Sequence, residues 1–129
     1  REDLGWQGSG KALIIDDEES VRGLAGEMLE KMGFTVLRAE NGREGIDLFR
    51  QDPDGIRLVL LDMTMPYLNG EDVFRELQQI QPRVKTILSS GYSEQAAANR
   101  FTEKGLAGFI QKPYRYEDLL IVVKKALEK

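Results

Sequence analysis

The side chains best suited to chemistry are Asp16 and Asp17, Asp62, Ser89 and Ser90, and Lys112. Each group follows a short apolar run. Ala12-Leu13-Ile14-Ile15 precedes the first pair and Leu58-Val59-Leu60-Leu61 precedes Asp62. Val84-Lys85-Thr86-Ile87-Leu88 precedes the serines, and Gly108-Phe109-Ile110-Gln111 precedes Lys112. Carboxylates brought close together repel, and each raises the pKa of the others unless a cation sits among them. A lysine and Mg²⁺ are the natural compensation. Mg²⁺ takes oxygen ligands in an octahedron and keeps several waters, so two carboxylates and a backbone carbonyl suffice. A carboxylate, Mg²⁺, a hydroxyl and a lysine together suit phosphoryl transfer. The carboxylate attacks phosphorus while the other groups hold the oxygens of the transferred group.

Composition narrows the choice. The chain has 129 residues, 41% hydrophobic and 31% charged, which fits one domain with a real core. It contains no histidine and no cysteine, which excludes Ser-His-Asp and Cys-His catalysis, disulfides and the usual zinc sites. Cysteine-free chains fit the cytoplasm by default. The net charge of −4 argues against nucleic acid or an anionic membrane as partner. No apolar run has transmembrane length, and no signal peptide is visible.

The elements that must position the reactive groups alternate regularly. The apolar runs named above, with Thr35-Val36-Leu37-Arg38-Ala39, read as strands. Between them apolar residues recur at helical spacing. The sets are Val21 to Met32, Ile46 and Phe49, Val73 to Ile80, Ala96 to Phe101, and Leu119 to Leu127. Ser20 is the candidate cap of the first helix and Gly33 its stop. Asn41-Gly42 turns the chain, and Pro82 halts the third helix. Five strand-then-helix units with short loops demand an α/β fold, a parallel sheet covered by helices on both faces. All C-terminal strand ends then share one edge, and the reactive groups share it with them. Taken singly, each has an ordinary role as a turn, a cap or a solvated helix start; taken together, they converge. Residues 1–10 are polar and glycine-rich and read as a linker or flexible arm, with the domain over 11–129. Gly5 to Lys11 mimics a phosphate-binding loop, but Ala12 replaces the needed hydroxyl and the segment precedes a strand. Tyr114 and Tyr116 are read as exposed, available for local packing or for a partner.

The ordered set Asp16-Asp17-Glu18, Leu61-Asp62-Met63-Thr64-Met65-Pro66 with Gly70, Ser90-Gly91, and Phe109-Ile110-Gln111-Lys112-Pro113 resembles the response-regulator receiver domain of two-component signalling. The resemblance runs from about Lys11 to the C-terminus. It implies a doubly wound, flavodoxin-like five-stranded parallel sheet of order 2-1-3-4-5. It implies Asp62 as the phospho-accepting nucleophile, fed by a phosphohistidine-bearing kinase or phosphotransfer domain. Asp17 and Asp62 would bind Mg²⁺ directly, Asp16 mainly through water, and Thr64 through its backbone carbonyl. Ser90 and Lys112 would contact the phosphoryl group, Phe109 would be the switch aromatic, and the Lys112-Pro113 bond would be cis. The switch would remodel the face made by the fourth helix, fifth strand and last helix. Thr64 and Tyr92 flank the site at variable positions and would set the phosphoryl lifetime, bulky Tyr92 by blocking water. The domain's own chemistry would then be self-phosphorylation and slow autodephosphorylation.

Trp6 to Gly10 is also similar to the linker that joins a kinase core to a C-terminal receiver in hybrid sensor histidine kinases. The expectation is an excised receiver of that kind, whose parent chain would be a kinase compatible with membrane attachment. A free-standing regulator is the alternative. A haloacid-dehalogenase-type phosphatase needs an Asp two residues after the nucleophile, where this chain has Thr64. A flavin or nucleotide module would need a glycine- or hydroxyl-rich loop after the first strand, where four acidic residues stand.

Overall fold

The computed structural model describes residues 5–91 and 104–128. The strands are β1 (Lys11–Ile15), β2 (Thr35–Ala39), β3 (Ile56–Asp62), β4 (Thr86–Ser90) and β5 (Gly108–Gln111). The helices are α1 (Glu19–Lys31), α2 (Gly42–Gln51), α3 (Gly70–Ile80) and a C-terminal helix (Tyr116–Glu128). The fourth expected helix, around Ala96–Phe101, lies outside the described residues. All strand pairs are parallel and the sheet order is β2-β1-β3-β4-β5, as the α/β alternation and the receiver resemblance imply.

β3 is the spine. Its residues are buried except for Arg57, so it carries an almost continuous apolar sequence rather than an alternating one. Its alternate side chains feed two cores. Val59 and Leu61 join Leu13, Ile15, Ile46, Phe49, Val73 and Leu77 beneath α2 and α3. Leu58 and Leu60 join Ala12, Ile14, Ala25, Leu29, Leu120 and Val123 beneath α1 and the C-terminal helix. Truncating one of these fully buried leucines to alanine would cost about 2–5 kcal/mol.

Register aligns the strand ends. Ile15 pairs with Leu61, Asp62 with Ser89, and Ser90 with Gln111. Asp16, Asp62, Ser90 and Lys112 therefore emerge at one edge. Two helices that follow strands are capped by asparagine, Asn41 accepting from Glu44 N at 2.8 Å and Asn69 from Asp72 N at 3.0 Å. Helix α1 differs from expectation. It starts at Glu19, with Glu18 at the cap position and no side-chain cap, so Ser20 lies inside the first turn. The Asp16 carboxylate closes that turn instead, accepting from Glu18 N at 2.9 Å. Tyr114 is not exposed: it is 9% accessible and belongs to the core under the C-terminal helix. Tyr116 is half-buried, with the Lys31 ammonium 4.8 Å from its ring centroid.

Residues 6–10, expected as a linker or arm, run along the domain. Trp6 lies tilted against Phe34, ring centroids 6.3 Å apart. Gly8 N donates to Met32 O at 2.7 Å, and Thr35 N donates to Gly10 O at 2.9 Å. Gly33, after α1, makes this approach feasible. Its φ is +111°, and an added Cβ would stand 2.6 Å from Gly8 O. Gly33→Ala should lower unfolding stability by about 1–3 kcal/mol in a urea titration. An unchanged midpoint would show that the segment 6–10 is not held there.

Candidate functional site

The strand ends build a compact charged pocket. Oxygens from the Asp16, Asp17 and Asp62 carboxylates all lie within 4.8 Å of one another. Asp16 and Asp62 are buried, while Asp17 faces solvent. The Lys112 ammonium enters from the loop after β5. Its Nζ stands 3.0 Å from Asp16 Oδ2, 3.2 Å from Glu18 Oε1 and 3.3 Å from Asp62 Oδ1.

Local backbone geometry fixes each of these groups. Lys112 N donates to Ser90 O at 2.7 Å, which carries the β4–β5 ladder one residue beyond the strand. The following Lys112-Pro113 peptide is cis. Met63 N donates to Ser89 O at 2.8 Å, extending β3 past Asp62 in the same way. Thr64 N points back to Asp62 Oδ1 at 3.4 Å, so the chain wraps over its own carboxylate. Gly70 lets α3 begin close by, since a Cβ there would stand 2.8 Å from Asp62 O. On the other side, Arg22 Nη1 donates to Asp16 O at 2.9 Å and ties α1 to the end of β1.

The electrostatics follow from burial and crowding. Burial raises the Asp62 pKa most; the neighbouring Asp16 charge adds to the rise, Lys112 opposes it, and the outcome is about 7. Burial works against the Lys112 charge, but its hydrogen bond to Asp16 and the fields of Asp62 and Asp16 hold it above the ordinary lysine range. Burial, then the Asp16 charge, pushes the Tyr114 phenol up to about 12. Negative charge is thus in excess at the pocket. A hard divalent cation fits it, because the donors are all oxygens and they cluster tightly.

The other expected site residues fall as follows. Ser90 is buried at the end of β4, its Oγ 3.3 Å from Gly91 O. Thr64 is exposed at the mouth. Phe109 on β5 is half-buried against the core beneath α2 and α3. Tyr92 lies outside the described residues. Sequence reasoning gave Glu18 no role of its own, naming it only within the acidic run after the first strand. Its position beside the aspartates was the available signal.

Known proteins share this sequence pattern and fold. The family model described as the response regulator receiver domain matches residues 12–124. The chain belongs to the response-regulator receiver family. Receivers take phosphoryl groups from histidine kinases or phosphotransfer proteins in two-component signalling and bind Mg²⁺ through an acidic pocket. This receiver is 34% identical to the sensor kinase CckA of Brucella abortus over 95% of its own length, but spans only 13% of that kinase. It is also 34% identical to the chemotaxis protein CheY of Thermotoga maritima, covering 81% of this chain and 87% of that one. A receiver-domain crystal structure from Clostridium thermocellum superposes with a TM-score of 0.87 at 32% identity, covering 92% of this chain and 94% of the other. No helix among the described residues is long and apolar enough to cross a membrane.

The raised Asp62 pKa has a consequence for stability. The folded state keeps the Asp62 proton up to about 7, whereas the unfolded chain loses it near the ordinary 3.8. Between those values the folded state binds more protons, so this group's contribution to stability falls as pH rises through the window. Without divalent cations, Asp62→Asn should therefore melt higher than wild type near about pH 8, by roughly 5 °C, and the gap should shrink near about pH 5. A gap independent of pH, or reversed in sign, would contradict the crowded-carboxylate account.

Proposed function

We propose that this receiver takes a phosphoryl group from a phosphohistidine donor onto Asp62, with Mg²⁺, and relays the event through the face around β5 and the C-terminal helix. The observation that carries the reading is the placement of one buried carboxylate among two others and 3.3 Å from a lysine ammonium. Asp17 and Asp62 would hold Mg²⁺ directly, Asp16 through water, and Thr64 by its backbone carbonyl. When bound, the cation neutralises the carboxylates and the charge on the phosphoryl oxygens.

An Asp62 carboxylate oxygen attacks phosphorus. The bond from phosphorus to the donor imidazole nitrogen breaks, and its electron pair stays with that nitrogen. The product is an acyl phosphate on Asp62 and a free histidine on the donor. The Lys112 ammonium and the Ser90 hydroxyl hold phosphoryl oxygens during transfer. Ser90 is then drawn towards the new group, and Phe109 turns into the space behind it. Phe109 on β5 pairs with Leu88, two residues before Ser90 on the adjacent β4, which supports a population shift centred there. Water later returns the site to its starting state, at a rate set by Thr64 and Tyr92. Cytoplasmic residence fits the absence of cysteine, and the net charge of −4 gives no support to nucleic-acid or membrane contact.

Origin in a hybrid sensor histidine kinase is supported by the likeness to the Brucella kinase over nearly the whole chain. A free-standing regulator is supported instead by the likeness to the Thermotoga chemotaxis protein, 87% of which the match covers. Both readings share the same chemistry.

Incubation with acetyl phosphate and Mg²⁺, followed by intact mass, tests the proposal. Wild type should gain the mass of one phosphoryl group; Asp62→Asn, and wild type in EDTA, should gain none. The adduct on Tyr92→Ala should decay faster than on wild type. An equal gain on Asp62→Asn would overturn the assignment, and sustained turnover of a generic phosphate ester would favour the phosphatase reading.

A further inference from the structure

Lys112 has three N–H donors, and three carboxylates surround them: Asp16 at 3.0 Å, Glu18 at 3.2 Å and Asp62 at 3.3 Å. On the proposed function, which this inference rests on, a phosphoryl oxygen must win one of those donors. One carboxylate has to let go. The Asp16 and Asp62 side chains are only 3% and 5% accessible. Both are buried at strand ends, where swinging away from the ammonium would turn a polar group towards the apolar core. Glu18 is different. Its side chain is 59% accessible, so water replaces the lost contact at little cost.

Glu18 is also free to move in other respects. It occupies the cap position of α1 but makes no side-chain cap, so swinging away breaks no helix hydrogen bond. The start of α1 stabilises a carboxylate over a range of positions, not at one contact only. Glu18 forms part of the wall of a cavity of about 260 Å³, together with Val21, Leu24, Lys112 and Tyr114. That cavity offers it room beside the pocket.

We infer that Glu18 is a positioning residue, a latch that occupies Lys112 until the phosphoryl group displaces it. The exposed acid holds the ammonium over Asp16 and Asp62 in the resting state. It competes with the incoming phosphoryl oxygens for the same N–H. Weakening the competitor should therefore favour capture, in contrast to loss of Lys112 itself.

Affinity for beryllofluoride, a phosphoryl mimic, in the presence of Mg²⁺ provides a readout independent of turnover. It is paired with the phosphorylation rate from acetyl phosphate. Glu18→Gln should bind the mimic about two- to fivefold more tightly and be phosphorylated faster by a similar factor, the size expected for one exposed ion pair. Glu19→Gln removes the next charge along without touching Lys112 and should match wild type. Equal behaviour of Glu18→Gln and wild type would overturn the latch, and so would equal shifts in both variants, which would signal bulk charge alone. Wild type that takes neither mimic nor phosphoryl group would overturn the proposed function beneath it.

Discussion

The pocket depends on one ammonium among buried carboxylates. Asp16 and Asp62 both stand at the ends of central strands with almost no access to water. Two such charges could not coexist there without positive charge between them. Lys112 supplies it at 3.0 and 3.3 Å, while burial and then the Asp16 charge still raise the Asp62 pKa. The excess of carboxylates over that one ammonium makes the site receptive to a divalent cation.

The scaffold earns this arrangement through register and burial. β3 is apolar on both faces, so it must lie at the centre, and Asp62 ends where its apolar run ends. Parallel pairing puts β1 and β4 beside it at matched height. β5 is one strand further out, and Lys112 reaches back only because its amide continues the ladder to Ser90 O. Each reactive group sits at most two residues beyond the end of a buried strand. The same edge that strands cannot pair further is where loops are free to carry chemistry.

Much of this was readable in the residues. The α/β alternation, the parallel sheet and the shared edge follow from apolar runs bounded by acidic, serine and lysine residues. The strand order and the cis peptide came from likeness to a family, since no local preference dictates either. What escaped was set by contacts across long sequence separations. Ser20 looked like a cap, but the Asp16 carboxylate had already closed that turn. Tyr114 reads as exposed near the start of the last helix, yet it joins the core beneath that helix. Glu18 looked like solvated charge, and only a partner far along the chain, Lys112, gave it a role. Trp6 to Gly10 read as a tether on composition, while Phe34 and Met32 provide a surface for it.

The central claim is that acidic groups from β1 and β3 form one cation pocket over Lys112. Titration with Mn²⁺, followed by paramagnetic broadening of amide NMR signals, tests it most directly. Signals from residues 16–18, 62–64 and 112 should vanish first and saturably, and Asp17→Asn should need far more metal to produce the same loss. Broadening centred instead on the acidic start of α3, at Glu71 and Asp72, or unchanged in Asp17→Asn, would contradict the account.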